Sequence, residues 1–154
     1  MPSLWQVLLV FFVSMIPVLE LRGSIIMAAT FGMDAAHALP ISILGNILPV
    51  PFIILFARTV FKWIRRHFPK YDHLVDRLEE KGRSRADALD KGIFWGLLLF
   101  VGIPLPGTGA WTGALIAAML DIRLKKAFPP IALGVILAGG IMLVLSYYIP
   151  GLFF

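Results

Sequence analysis

Cysteine is absent from the 154 residues, which excludes disulfides and thiol chemistry. Charge is scarce as well. Asp, Glu, Lys and Arg make up 15% of the chain, against about a quarter in ordinary globular domains. That charge is unevenly spread, with most of it in one block between Lys62 and Lys91. Metal-ligand spacing is missing: His37, His67 and His73 stand apart, so no metal and no cofactor is expected. No nucleophile–base arrangement, phosphate-binding loop or pair of carboxylates is present, and an enzyme is not expected.

Apolar residues are what the chain has in abundance. With 59% hydrophobic residues and a mean hydropathy of +0.88, it reads as a multi-pass membrane protein. The first thirty residues have no basic leader, and Glu20 and Arg22 interrupt their apolar run, so they do not read as a signal peptide. A net charge of +5 could suggest nucleic acid as a partner. Acidic residues interleave with the basic ones, however, and the pattern fits membrane topology and lipid contact instead.

Long apolar regions cover residues 4–17, 40–61, 93–103 and 127–149. Two shorter runs cover 24–33 and 111–120. Ten helical residues reach only about 15 Å, half of a hydrocarbon core about 30 Å thick. These short runs therefore read as the returning arms of re-entrant hairpins, with tips at 20–23 and 106–109. Irregular backbone at that depth has to be buried in protein or face a watery cavity.

The tips sit at matching places in two halves. Pro17 and Pro104 lie 87 residues apart, whereas Pro40 and Pro129, like Gly45 and Gly134, lie 89 apart. A two-residue insertion between the hairpin and the following helix aligns them. The expected fold is an all-α integral membrane protein made of two inverted-topology repeats, each a re-entrant helical hairpin plus one full transmembrane helix. Residues 1–61 form the first repeat (hairpin 4–33, crossing 38–61) and 62–92 a basic cytoplasmic connector. Residues 93–154 form the second repeat (hairpin 93–120, crossing 127–149). Each unit crosses the membrane once, an odd number, so consecutive copies take opposite orientations.

Charge placement agrees with this topology. Lysines and arginines at 62, 65, 66, 70, 77, 81, 83, 85 and 91 share a side with Arg123, Lys125 and Lys126, and Arg58 reaches that side by snorkelling. The opposite side, with both termini and the 34–37 turn, has no Lys or Arg. By the positive-inside rule the basic side is cytoplasmic and both termini face outward. Trp5, Tyr147 and Tyr148 would mark the outer interface, Trp63 and Trp95 the inner one. Within the connector, Pro69 ends a helical extension, and Leu74, Val75 and Leu78 form a weak apolar stripe before Gly82. Ser84 and Asp87 resemble a capping box.

Glu20 and Arg22 are the ionisable residues deep in the membrane, where a charge is expensive and marks a candidate functional site. Two readings stand. The pair could pin the first tip as an ion pair or by reaching back to free carbonyls around Pro17, or Glu20 could titrate a proton while Arg22 binds an anionic group. The second tip, 104–109, carries no charge. Pro104 and Pro106 prevent a helix, and the amides of Gly107, Thr108 and Gly109 form an anion-receptive nest beside the returning arm. Thr108 and Thr112 add hydroxyls. Gly109 and Gly113 make a small-xxx-small pair that also suits helix packing. Asn46 is a mid-membrane amide beside a double-proline kink, placed either to satisfy free carbonyls or to line a cavity. Gly23 and Trp111 complete the candidate substrate site; Pro17, Pro104, Pro106 and Gly113 shape the tips.

Three stretches resemble the small multidrug export family: Pro-x-x-Glu-Leu-Arg-Gly-Ser-Ile at 17–25, Leu-Gly-Asn at 44–46, and Pro-Leu-Pro-Gly-Thr-Gly-Ala-Trp-Thr-Gly at 104–113. The last is long and specific. A more distant resemblance is to the DedA superfamily, also called VTT or SNARE-associated. It implies two facing re-entrant hairpins, acids in the first and arginines in the second, and proton-dependent flipping of undecaprenyl phosphate and other lipids. This chain has Thr108 and Gly109 where that superfamily would place an arginine.

The expectation is a proton-coupled transporter in the inner membrane of a prokaryote. Glu20 carries the proton, and the substrate is an anionic, polyprenyl-phosphate-like lipid. A drug/proton antiporter for lipophilic cations is the alternative, and a non-transporting membrane scaffold a second one. Membrane lipid, a small-molecule or lipid substrate and protons are the expected partners. Glycine-rich faces such as 138–140 suggest a homodimer or higher homo-oligomer.

Overall fold

The computed structural model describes residues 1–67 and 86–152, with side chains throughout except at 86–90. The connector features at Pro69, Leu74, Val75, Leu78, Gly82 and Ser84 lie outside the described residues, as does His73. Every regular element among the described residues is helical.

α1 spans Leu4–Met15 and opens with a capping box between Ser3 and Gln6. It stops at Ile16, whose extended backbone (ψ 130°) is what a residue before proline adopts. α2 follows at Glu20–Thr30. α3 (Ala35–Ile47) is capped by the Asp34 side chain, which accepts from the His37 amide. α4 (Val50–His67) continues from α3 after the turn at Leu48 and Pro49. Together α3 and α4 make one apolar stretch of 33 residues, long enough to cross a membrane. The crossing expected at 38–61 is thus broken at its double proline and extended at both ends.

In the second half, α5 runs Ala86–Gly102, α6 Ala110–Met119 and α7 Leu124–Leu143. A π turn at Val144–Tyr148 extends α7, so that Leu124–Tyr148 is the second stretch long and apolar enough to cross. A 3-10 turn at Pro150–Leu152 follows. α1, α2 and α6 have 12, 11 and 10 residues, or about 15–18 Å of helix, and none can cross alone. The core lies where α2, α4, α5 and α6 meet α7, around Leu21, Ile25, Ile54, Val101, Ala114 and Ile131.

Local geometry recurs in the two halves with fixed spacing. The Met33 amide donates to Ala28 O at 3.0 Å, and the Ile122 amide donates to Ala117 O at 2.9 Å. Gly32 and Asp121, each in the left-handed region (φ 68° and 55°), occupy the same place in these two turns. α3 and α7 begin 89 residues apart, and each carries a proline at its sixth position. A side chain at Gly45 would strike Phe11 and Ser14 of α1, and one at Gly134 would strike Leu98 and Val101 of α5. Phe11 and Leu98, like Ser14 and Val101, are 87 apart. The spacing therefore changes from 87 to 89 inside the tips. The sequence placed the two extra residues after the hairpin; they are in the second tip, whose two prolines need a longer turn, closed by the Thr108 amide on Leu105 O.

Candidate functional site

The two tips meet face to face. Glu20 begins α2 with φ 48°, a left-handed conformation that costs a non-glycine residue about 1–2 kcal/mol. This backbone turns its carboxylate away from its own helix. One carboxylate oxygen accepts from the Ala110 amide at 3.2 Å, and the other from the Trp111 amide at 3.1 Å. Glu20 is 4% exposed. It thus caps α6 from about ninety residues away, a negative charge on the positive end of a helix. Gly109 makes this contact possible. Its φ of 134° suits glycine alone, and a side chain there would collide with the carboxylate.

Arg22 makes the complementary contact. It is half-buried, and its guanidinium donates to Leu105 O, to Thr108 Oγ1 at 2.6 Å and, at 3.4 Å, to Ile103 O. The Thr108 hydroxyl in turn reaches Leu105 O and Ile103 O. These carbonyls lie past the end of α5, which the prolines stop, and they also accept the Leu105 and Thr108 amides. Trp111 answers from the other side, its indole Nε1 donating to Met15 O, at the end of α1, at 2.9 Å. Arg22 and Trp111 lie 89 residues apart, and each ties its own hairpin to the broken helix end of the other. Glu20 and Arg22 make no ion pair with each other here: each charge goes to the facing tip.

Glu20, Leu21, Arg22, Asn46, Gly109 and Ala110 line a cavity of about 10 Å³, room for a single water. Asn46 is 2% exposed, and its Oδ1 has no hydrogen-bond partner, so it belongs to the cavity wall more than to a carbonyl cluster. An open apolar groove of about 540 Å³ runs beside Trp111, between Met15, Phe52, Phe56 and Leu115. The other expected residues divide. Gly107 (φ 78°) turns the second tip with open space around it. Gly113 packs on Val101, where a side chain would clash. Thr112 is half-buried on α6, Gly23 packs over Leu19 on α2, and Pro17 is exposed between α1 and α2.

Arg58 is not merely snorkelling. Its Nε and Nη2 pair with Asp121 Oδ1 at 3.1 and 3.0 Å, tying α4 to the turn between α6 and α7. Sequence reasoning passed over Asp121, although it is the only acidic residue after Asp90. On the opposite side Asp34 is exposed, and bonds from the His37 ring and amide hold its carboxyl below the usual aspartate range.

No curated protein and no solved structure matches the chain, so the likeness to the DedA superfamily rests on the sequence motifs alone. One family model does match, over residues 20–141, a span that starts at Glu20 and takes in both sides of the tip contact. The chain belongs to that family, described as "Putative small multi-drug export protein".

Proposed function

We propose that this protein is a proton-coupled membrane transporter in which Glu20 closes the pathway, and that its substrate is an anionic lipid of the polyprenyl-phosphate kind. The observation that carries the proposal is the Glu20 carboxylate on the Ala110 and Trp111 amides. An anion at a helix N-terminus is an anion site already filled. Protonating Glu20 removes its charge and weakens both bonds, since bonds to an ionised acceptor are about twice as strong as neutral ones. The two amides, and an Arg22 held only by uncharged acceptors, then become a receptor for an anionic headgroup. The apolar groove beside Trp111 offers room for the hydrocarbon part. One proton and one anion would thus enter together.

The inverted-repeat architecture is part of the same proposal. Its support is the recurrence of turns, glycine contacts and tip contacts at 87 and 89 residues, together with the basic residues gathered on one side. The proposal takes the first repeat as 1–61, the connector as 62–92 and the second repeat as 93–154, with α4 running on to His67 and α5 starting at Ala86 inside the connector's bounds, the connector cytoplasmic and the termini outside. A second copy of the chain has a place to pack at α7. There Gly139 is used inside the chain, against Leu39 and Ile43, while Gly140 has open space beside exposed Ile136 and Leu137.

The family description favours a second reading, a drug/proton antiporter in which a lipophilic cation displaces the proton from Glu20. Arg22 beside that carboxylate opposes a cation. Proteoliposomes separate the two: proton flux is followed with polyprenyl phosphate or with a lipophilic cation present, for wild type and Glu20→Gln. The lipid reading predicts flux with the phosphate that Glu20→Gln abolishes. Flux with the cation alone would establish the antiporter, and silence with both, from folded protein, would leave a scaffold.

A further inference from the structure

Hydroxyls on apolar helices ordinarily bond to a carbonyl one turn back. Ser14, Ser24, Thr30 and Thr59 do so, onto Phe11, Leu21, Met27 and Leu55. Ser42 and Ser146 do not. Both hydroxyl oxygens are buried without a partner, as is Oδ1 of Asn46. Buried polar atoms are as a rule paired, and these three sit on α3 and the end of α7, two helices that pack together.

On α3, Ala38, Ser42 and Asn46 are buried at every fourth residue, the spacing of one helix face. On α7 and its π turn, Ala138, Met142 and Ser146 repeat that spacing. The two faces meet. A side chain at Gly139 would touch Leu39 and Ile43, and Ala138 lines the same small cavity as Asn46 and Glu20. Tyr147 reaches Met33, just before α3, while Gly139 faces Leu39 and Ile43 within it, so the two helices run antiparallel. Ser146 is then at the end near the α2–α3 turn, Asn46 at the Glu20 end, and Ser42 between them. Ser42 and Asn46 are one turn apart, about 6 Å along the axis. At the outer end the Tyr147 hydroxyl donates to Met33 O at 2.7 Å, and the exposed Asp34–His37 pair occupies the same turn. The π turn that carries Ser146 is a distortion often found at functional sites.

We propose that this seam between α3 and α7 is the route by which protons reach Glu20: Asp34 and His37 collect them, and Ser146, Ser42 and Asn46 hold the relaying waters. The inference rests on the reading of Glu20 as the proton carrier. Each relaying water accepts one proton and passes one on while the serine hydroxyls and the Asn46 amide only hold it in place, so only Glu20 changes charge. Arg22, on the same helix, is the charged group beside Glu20. α3 brings Asp34 and His37 at its far end, α7 brings Arg123, Lys125 and Lys126 at its opposite end, and α6 brings none; α1 carries no ionisable side chain.

Ser42→Ala and Ser146→Ala, alone and combined, test the route in lipid nanodiscs. After a rapid drop in pH, protonation of Glu20 is followed as the carboxyl infrared band that Glu20→Gln removes. The route predicts that the double variant slows this band about tenfold or more, with its final size unchanged, and that Ser42→Thr restores the wild-type rate. A role confined to packing would move the thermal unfolding midpoint and leave the rate alone. An unchanged rate in the double variant overturns the route while leaving Glu20 as the carrier. Absence of any Glu20 band in wild type overturns both, so the two failures are told apart.

Discussion

Gly109 is the residue on which the tip contact turns. It must hold φ 134° and leave room for the Glu20 carboxylate, and alanine can do neither. Gly109→Ala is therefore expected to cost about 2–4 kcal/mol, from backbone strain and a buried clash together. Gly107→Ala is the control. Its φ of 78° is also strained for alanine, but nothing lies within 4 Å, so the cost should stop at about 1–2 kcal/mol. Unfolding of each variant in mild detergent measures the difference. Equal losses would mean that the carboxylate does not occupy the space beside Gly109. That Glu20 and Gly109 interrupt apolar runs was legible in the sequence, because a charge and a glycine-rich break at membrane depth are rare. Their partners were not legible. A carboxylate that finds amides about ninety residues away leaves no local pattern, and the expected anion nest turned out to border a helix end that Glu20 itself fills.

At the scale of elements, close helix contact is the recurring device. Gly45 lets α3 approach α1, and Gly134 lets α7 approach α5, at positions 89 residues apart. Gly45→Ala and Gly134→Ala should each destabilise the protein by about 2–4 kcal/mol, since neither backbone carbonyl in contact can move aside. Gly140→Ala, which meets open space, should be neutral or stabilising by up to about 1 kcal/mol. Chemical unfolding of the three variants checks the ranking. Hydropathy and proline placement made the two crossing stretches and the short arms visible in advance. The break at Leu48 and Pro49 was visible only as a kink, because apolar residues continue through it and hydropathy cannot register a two-residue turn. Ser42 and Ser146 looked like ordinary helix serines, since burial and lack of a partner are properties of packing and not of spacing.

Taken as a whole, the molecule is two helical halves locked by exchanged contacts. Glu20 and Arg22 reach from the first tip to the second, Trp111 reaches back, and Arg58–Asp121 adds a tie at the basic end. In the proposed function Glu20 is the proton-sensitive member of this lock, and its release would let the tips part. The chain's lack of cysteine allows spin labels to be placed at Val18→Cys and Leu105→Cys, exposed positions on the two tips, without background. The distance between these labels, measured in nanodiscs as pH is lowered, tests the central claim most directly. The account predicts a closed distance at high pH that lengthens on acidification, and a Glu20→Gln protein that holds the longer distance at every pH. A tip distance indifferent to pH, or a pH response that survives in Glu20→Gln, would contradict it.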